Sequence, residues 1–110
     1  MRLEVARIIL FTKRMDEMTW FYRDVLGLET VRDQENWREF DGGAVRIALH
    51  SGPPSPGARG PKIAFRIEDV PATREELNKR GAKFGPVKKA EFTLCDAIDP
   101  DGNHVQLSNR

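Results

Sequence analysis

A single cysteine, Cys95, stands in a chain of 110 residues. With no partner for an internal disulfide, the chain is not a disulfide-stapled secreted domain, and a reducing, cytoplasmic setting is expected. Long apolar runs are also missing. The longest, Ile8 to Phe11, falls far short of the ~20 residues that span a bilayer, so no membrane partner is expected. The opening stretch MRLEVARIILF carries Glu4 and Arg7 among its apolar residues and lacks a small-residue cleavage site; it does not read as a signal peptide. Charge of one sign is lacking too: 18 basic and 17 acidic residues leave a net charge of +1. Without such a field, neither nucleic acid nor anionic lipid is an expected partner. No Gly-rich phosphate loop, zinc-ribbon spacing or Ser-His-Asp pattern occurs. What remains, 39% hydrophobic and 32% charged, is the mixture of a soluble globular chain, and its length suits one domain.

An internal repeat organises that domain. Each half reads as apolar strand, helix and short strands, the first ending in FDGGAVRIAL (Phe40 to Leu49), the second in IDPDGNHVQL (Ile98 to Leu107). With the halves superposed, Phe40 falls on Ile98, Asp41 on Asp99, Ile47 on Val105, Ala48 on Gln106 and Leu49 on Leu107. The opening strands align Arg7-Ile8-Ile9-Leu10 with Lys62-Ile63-Ala64-Phe65. Between the halves, Ser51 to Pro61 holds four of the seven prolines and three of the nine glycines, the composition of a connector. The expected organisation is module one over 1–50, connector 51–61 and module two over 62–110.

Met18, Phe21, Tyr22, Val25 and Leu26 recur at helical spacing, which predicts a helix from Met15 to Leu26 capped by Gly27. A second helix is predicted from Val70 to Arg80, with Asp69 as N-cap, Pro71 in its first turn and a thin apolar stripe. The strands alternate. Val45, Ile47 and Leu49, like Val105 and Leu107, form apolar faces on which helices can sit. Arg7, Ile9 and Phe11 share one mixed face; so do Arg46, Ala48 and His50; so do His104, Gln106 and Ser108. Mixed faces meet water, a ligand or a partner. Two β-α-β-β-β modules make an α+β fold.

At this point particular strings become informative. Trp20-Phe21-Tyr22-Arg23-Asp24-Val25-Leu26-Gly27-Leu28 resembles the helix-end signature of the vicinal-oxygen-chelate superfamily, which includes glyoxalase I, bleomycin-resistance proteins, extradiol dioxygenases and fosfomycin-resistance thiol transferases. Ile63 to Val70 resembles its third-quarter strand and turn, and Asp99-Pro100-Asp101-Gly102-Asn103 with Val105-Gln106-Leu107 its closing hairpin. The resemblance spans nearly the whole chain. It implies paired β-α-β-β-β modules in a cupped, incomplete mixed-sheet barrel, and a homodimer. It also implies, in metal-dependent members, a divalent ion held by His, Gln or carboxylate residues. Those positions fall on Arg7, Lys62, Ala48 and Gln106. Arg stays protonated, a protonated Lys has no lone pair, Ala has no donor, and one neutral amide is too little, so no metal and no cofactor are expected.

Two monocations, Arg7 and Lys62, thus stand where a dication would. With Arg46, Arg66, Gln106 and a stacking surface on Trp37, they suit an anionic or oxygen-rich small molecule. The alternative is that Arg7 and Lys62 are solvated or pair with Glu4, Glu39 or Asp96. His50 and His104 lie on mixed faces, open between a metal pair, a general base and strand-end residues, and Cys95 reads as a small buried hydrophobe. Three functions follow from these readings: metal-free sequestration of a small molecule as in bleomycin-resistance proteins, a divergent glyoxalase- or dioxygenase-family enzyme, or a regulatory or interaction module.

Overall fold

The computed structural model describes residues 1–2, 4–56 and 60–110. Part of the connector, 57–59, lies outside them. The chain forms two compact units, Met1–Ser55 and Pro56–Arg110.

The first unit builds one four-stranded sheet from β1 (Arg7–Thr12), β2 (Thr30–Gln34), β3 (Trp37–Asp41) and β4 (Arg46–Ser51), in the order β1-β4-β3-β2. β1 runs parallel to β4, and the other pairs are antiparallel. A parallel neighbour needs a crossover, and the helix after β1 supplies it. That helix has two parts. α1 (Met15–Thr19) is α-helical, and Trp20–Val25 continues it as a π-helix, with the Leu26 amide donating to the Phe21 carbonyl at 2.9 Å. Sequence periodicity predicts a single helix over Met15 to Leu26. Met18, Phe21, Tyr22 and Val25 all face inside, each 3% exposed or less. They share the buried set with Phe40, Ile47 and Leu49, and the Tyr22 and Phe40 rings stack at 6.5 Å. Gly27, at φ 77°, takes the left-handed conformation that ends the helix, and Gly81, at φ 112°, follows the second.

The second unit repeats the plan with β5 (Lys62–Arg66), α2 (Val70–Lys79), β6 (Lys88–Lys89), β7 (Thr93–Ile98) and β8 (His104–Ser108), in the order β5-β8-β7-β6. β5 is parallel to β8. The Asp69 carboxylate accepts from the Ala72 amide at 3.0 Å, as an N-cap should. The buried residues of α2 are Val70 and Leu77, the narrow stripe its sequence predicts. They join Phe84, Cys95, Val105 and Leu107 in the core of this unit.

Strand register corrects the repeat. Phe40 pairs with Ile47, and the residue pairing with Val105 is Ala97, not Ile98. Phe40 is fully buried, whereas Ile98 is 60% exposed. The closing hairpin of the second module is therefore one residue longer than that of the first. The extra residue is absorbed around Asp99, whose carboxylate holds the amides of Asp101 and Asn103 at 2.9 Å each. No described helix is long and apolar enough to cross a membrane.

Candidate functional site

The mixed face of the first sheet is a three-row array. Phe11, His50 and Trp37 lie side by side on β1, β4 and β3; Ile9, Ala48 and Glu39 form the next row; Arg7, Arg46 and Asp41 form the third. In the first row the Phe11 and His50 ring centroids are 5.2 Å apart and those of His50 and Trp37 5.4 Å apart, close to one strand spacing. Phe11 is 47% exposed. Its ring rests on Gly52, where a Cβ would come within 2.9 Å of Cδ1, so the glycine sets how deeply the ring lies.

Glu39 ties the rows together. It is buried, accepts from the Trp37 indole Nε1 at 3.0 Å, and lies 3.6 Å from Arg7 Nε. Beside it Ala48 is fully buried, so the middle of this mixed face is closed. Ala48 on β4 stands between Arg7 and Glu39 in the register, and their pair reaches across it.

The second sheet carries the same arrangement at equivalent positions. Lys62 Nζ on β5 lies 3.0 Å from Asp96 Oδ1 on β7, reaching across β8, where Gln106 Nε2 donates to the same oxygen at 3.1 Å. Burial alone would raise the Asp96 carboxyl. The hydrogen bonds from Lys62 and Gln106, with the charges of Lys62 and Lys88, more than offset it and hold the carboxyl below its ordinary value. A depressed carboxyl contributes stability above its unfolded value, about 3.9, and loses it as pH falls through the folded value. Asp96→Asn is thus expected to lower stability at neutral pH and to flatten its fall below about pH 4. Urea titrations of both proteins between neutral pH and pH 3 check this; parallel curves would show that the pair adds nothing.

Arg7 and Lys62 are thus partnered residues, each with a carboxylate on the third strand of its own module. Arg7, Trp37 and Arg46 share the first sheet face, with Arg46 beside Arg7 in the register. Lys62 and Gln106 meet at Asp96, while Arg66 sits exposed at the far end of β5. His50 belongs to the aromatic row, and His104 pairs in register with Lys62 and Ile98. Cys95 is buried, and burial pushes its thiol up, away from the reactive thiolate. A groove at the start of α2 carries Glu68, Asp69, Lys89, Thr93 and Asn109. None of these side chains is buried, and Asp69 already satisfies a first-turn amide. Sequence periodicity marks Phe11 as a mixed-face residue without distinguishing it. Its role depends on Gly52, and no sequence pattern signals that contact.

A family model described as Glyoxalase/Bleomycin resistance protein/Dioxygenase superfamily matches residues 4–107. The chain belongs to that superfamily. An uncharacterized protein of Mycolicibacterium smegmatis is 30% identical over 103 residues, 91% of this chain and 88% of its own. Among solved structures, an antibiotic binding protein, TnmS3 from Streptomyces sp. CB03234, superposes with a TM-score of 0.81 at 22% identity, covering 97% of this chain and 95% of its own. A lactoylglutathione lyase from Agrobacterium tumefaciens gives 0.78 at 18% identity, covering 98% and 94%. At such identities the likeness to the two structures is one of fold.

The metal implied for glyoxalase-like members of the superfamily does not fit these residues. Arg7 and Lys62 present N–H groups, Ala48 presents a methyl group, and Gln106, whose nitrogen donates to Asp96, has one neutral oxygen to offer. Among the described residues no three His, Cys, Asp or Glu side chains gather as a metal cage. Hydrogen-bond donors predominate where lone pairs would be required.

Proposed function

We propose that the protein binds and sequesters a small oxygen-rich or anionic molecule without a metal, in the manner of a bleomycin-resistance protein. The observation that carries this reading is the set of donors at three of the four family positions. Lys62 has three N–H groups and one carboxylate partner, and Arg7 places Nε 3.6 Å from its own. Both side chains are more than 40% exposed. Donor-rich, lone-pair-poor positions recognise ligand oxygens. Trp37, Arg46, Arg66 and Gln106 are the further binding residues on these faces. TnmS3, an antibiotic binding protein with the same fold, supports sequestration; the lyase of the same fold lends its chemistry less support, because the metal positions do not suit a cation. The edge strands that each sheet leaves unpaired favour a homodimer, and the lone buried cysteine suits the cytoplasm.

The test is a thermal-shift and calorimetric screen of oxygen-rich antibiotics, phosphorylated metabolites and organic acids, with and without a chelator. A ligand is expected that binds equally with chelator and is recovered chemically unchanged. Replacing Arg7 and Lys62 together by Met is expected to weaken it by about tenfold or more, the scale of a lost charge-assisted hydrogen bond. Binding that needs a divalent ion, or a ligand converted to product, would sink the reading. Light scattering at twice the 12.5 kDa chain mass is the expected result for the dimer.

A further inference from the structure

We propose that Arg46, on the first sheet, is the anchor for a ligand carboxylate. The inference rests on the binding reading above and names the group that the ligand presents.

An arginine that leaves water needs partners, because its guanidinium stays charged and carries five N–H donors. The partly buried arginines among the described residues are Arg38, Arg46 and Arg74. Arg38 reaches Asp16, Asp33 and Thr19, and Arg74 donates to the Gly85 carbonyl at 2.6 Å. The Arg46 side chain has neither a hydrogen bond nor an ion pair among the described residues. It is also the register partner of Arg7 across the parallel β1–β4 pair, on the same mixed face. Like charges placed opposite one another repel, and an anion bound beside them relieves the repulsion.

The acids nearest in the register do not supply that anion. Glu39 lies with Arg7 and the Trp37 indole. Asp41 is the cross-strand neighbour of Arg46, but its Oδ1 accepts from the Gly43 amide at 2.8 Å and no ion pair joins it to Arg46. The same turn fixes where Arg46 begins. The Gly42 amide donates to the Val45 carbonyl at 3.0 Å, and a Cβ on Gly42 would come within 2.5 Å of that oxygen. The Arg46 amide in turn donates to the Ala6 carbonyl at 2.9 Å. A guanidinium rooted in held backbone and left unpaired is prepared for a ligand, which has no protein carboxylate to displace.

The surrounding charge selects the head group. Glu39 and Asp41 already place negative charge beside the arginines, so a second charge on the ligand meets repulsion. A carboxylate brings one charge, and its two oxygens match two N–H groups of one guanidinium. A phosphate monoester brings close to two charges. The second module has no equivalent anchor. There His104 takes the place of Arg46, beside Lys62, and Ile98 that of Asp41. Imidazole lacks the fork that holds a carboxylate by two bonds.

The probes are benzoate, benzamide and phenyl phosphate, which share a ring and differ in head group. They are titrated into the full chain at neutral pH by calorimetry and by ¹H–¹⁵N NMR of the arginine Nε–H groups. Benzoate is expected to bind saturably and to move a signal that is missing from Arg46→Gln. Benzamide and phenyl phosphate are each expected to bind about threefold more weakly or worse. Arg46→Gln is expected to lower benzoate affinity by about tenfold, and Arg46→Lys by less, because the charge stays and the fork is lost. Asp41→Asn keeps an acceptor for the Gly43 amide and removes a charge, so it should tighten benzoate by about threefold and phenyl phosphate by more. Because Arg46 has no protein partner to lose, Arg46→Gln is expected to melt at or above the temperature of the parent. A marked fall in that temperature would give Arg46 a structural role and overturn the assignment. So would benzoate affinity unchanged in Arg46→Gln, a preference of the parent protein for phenyl phosphate, or no binding at millimolar benzoate. A ligand from the wider screen that is lost when Arg7 and Lys62 are both replaced, but kept in Arg46→Gln, would leave the binding function standing and remove this anchor.

Discussion

Phe40→Ala is expected to remove most of the stability of the first module, while Ile98→Ala is expected to change that of the second very little. The sequence repeat places these two residues at the same position, so the contrast tests the register found in the structure. Phe40 is fully buried on β3, opposite Ile47 and stacked on Tyr22. Deleting a buried phenyl ring from a packed core costs about 3–5 kcal/mol, because the lost transfer energy is joined by a cavity that neighbours fill only in part. A whole domain is stable by roughly 5–15 kcal/mol, and a module of half a small chain sits at the low end of such a range. Ile98 is mostly exposed, so its truncation is worth within about half a kcal/mol. Urea unfolding followed by far-UV circular dichroism measures both. Equal midpoint shifts for the two variants would mean that the Phe40 ring is not an anchor and that the one-residue offset is wrong.

The second large effect is expected at Asp99. This carboxylate is 2% exposed. One oxygen accepts from the amides of Asp101 and Asn103, the other from Asn103 Nδ2 at 2.8 Å. This one side chain thus supplies acceptors for three donors, beside two backbone hydrogen bonds of 2.9 Å that also close the turn, from the Asp99 amide to the Asn103 carbonyl and from the Gly102 amide to the Asp99 carbonyl. Asp99→Ala leaves those donors without their acceptor, and hydrogen bonds to a charged group contribute roughly 1.5–3 kcal/mol each at most. Water reaches part of this turn, so a total loss of about 2–4 kcal/mol is expected. Asp99→Asn keeps one acceptor oxygen and should lose about half as much. Faster hydrogen exchange at the Asp101 and Asn103 amides, with the α2 amides unaffected, is the local signature. A variant as stable as the parent, with those amides still protected, would show that the backbone alone holds the turn.

Both effects show what the sequence makes legible. The α+β plan, the two-module repeat, the helix ends at Gly27 and Gly81 and the Asp69 cap follow from local chemistry, because spacing, capping side chains and left-handed glycines act over a few residues. The π-helical turn does not, because Phe21, Tyr22 and Val25 recur at intervals that an α-helix would also place inside. Nor does the hairpin offset, because it depends on which residues face one another across strands. The positions of Arg7 and Lys62 on the mixed faces are readable, and so is the mismatch with a metal. Their pairing with Glu39 and Asp96 is one of several options until β3 and β7 are in register. The seat of Phe11 on Gly52 is a contact between a strand and the start of the connector, and residue type alone does not reveal it.

The parallel pairing of the first and last strands in each module has a consequence for the order of synthesis. β1 is made first and joined to its sheet last, since Arg7 pairs with Arg46 and Thr12 with Ser51. At about 5–20 residues per second, a ribosome leaves β1 without its neighbour for roughly 2–8 s. Over that interval the apolar segment Ile8-Ile9-Leu10-Phe11 has no β4 to pair with, and apolar segments without their partner strand are the ones most prone to pair with another chain. The second module repeats the delay with β5 and β8. The topology thus makes the opening strand of each module the last to be paired, and leaves it at the edge of its own sheet.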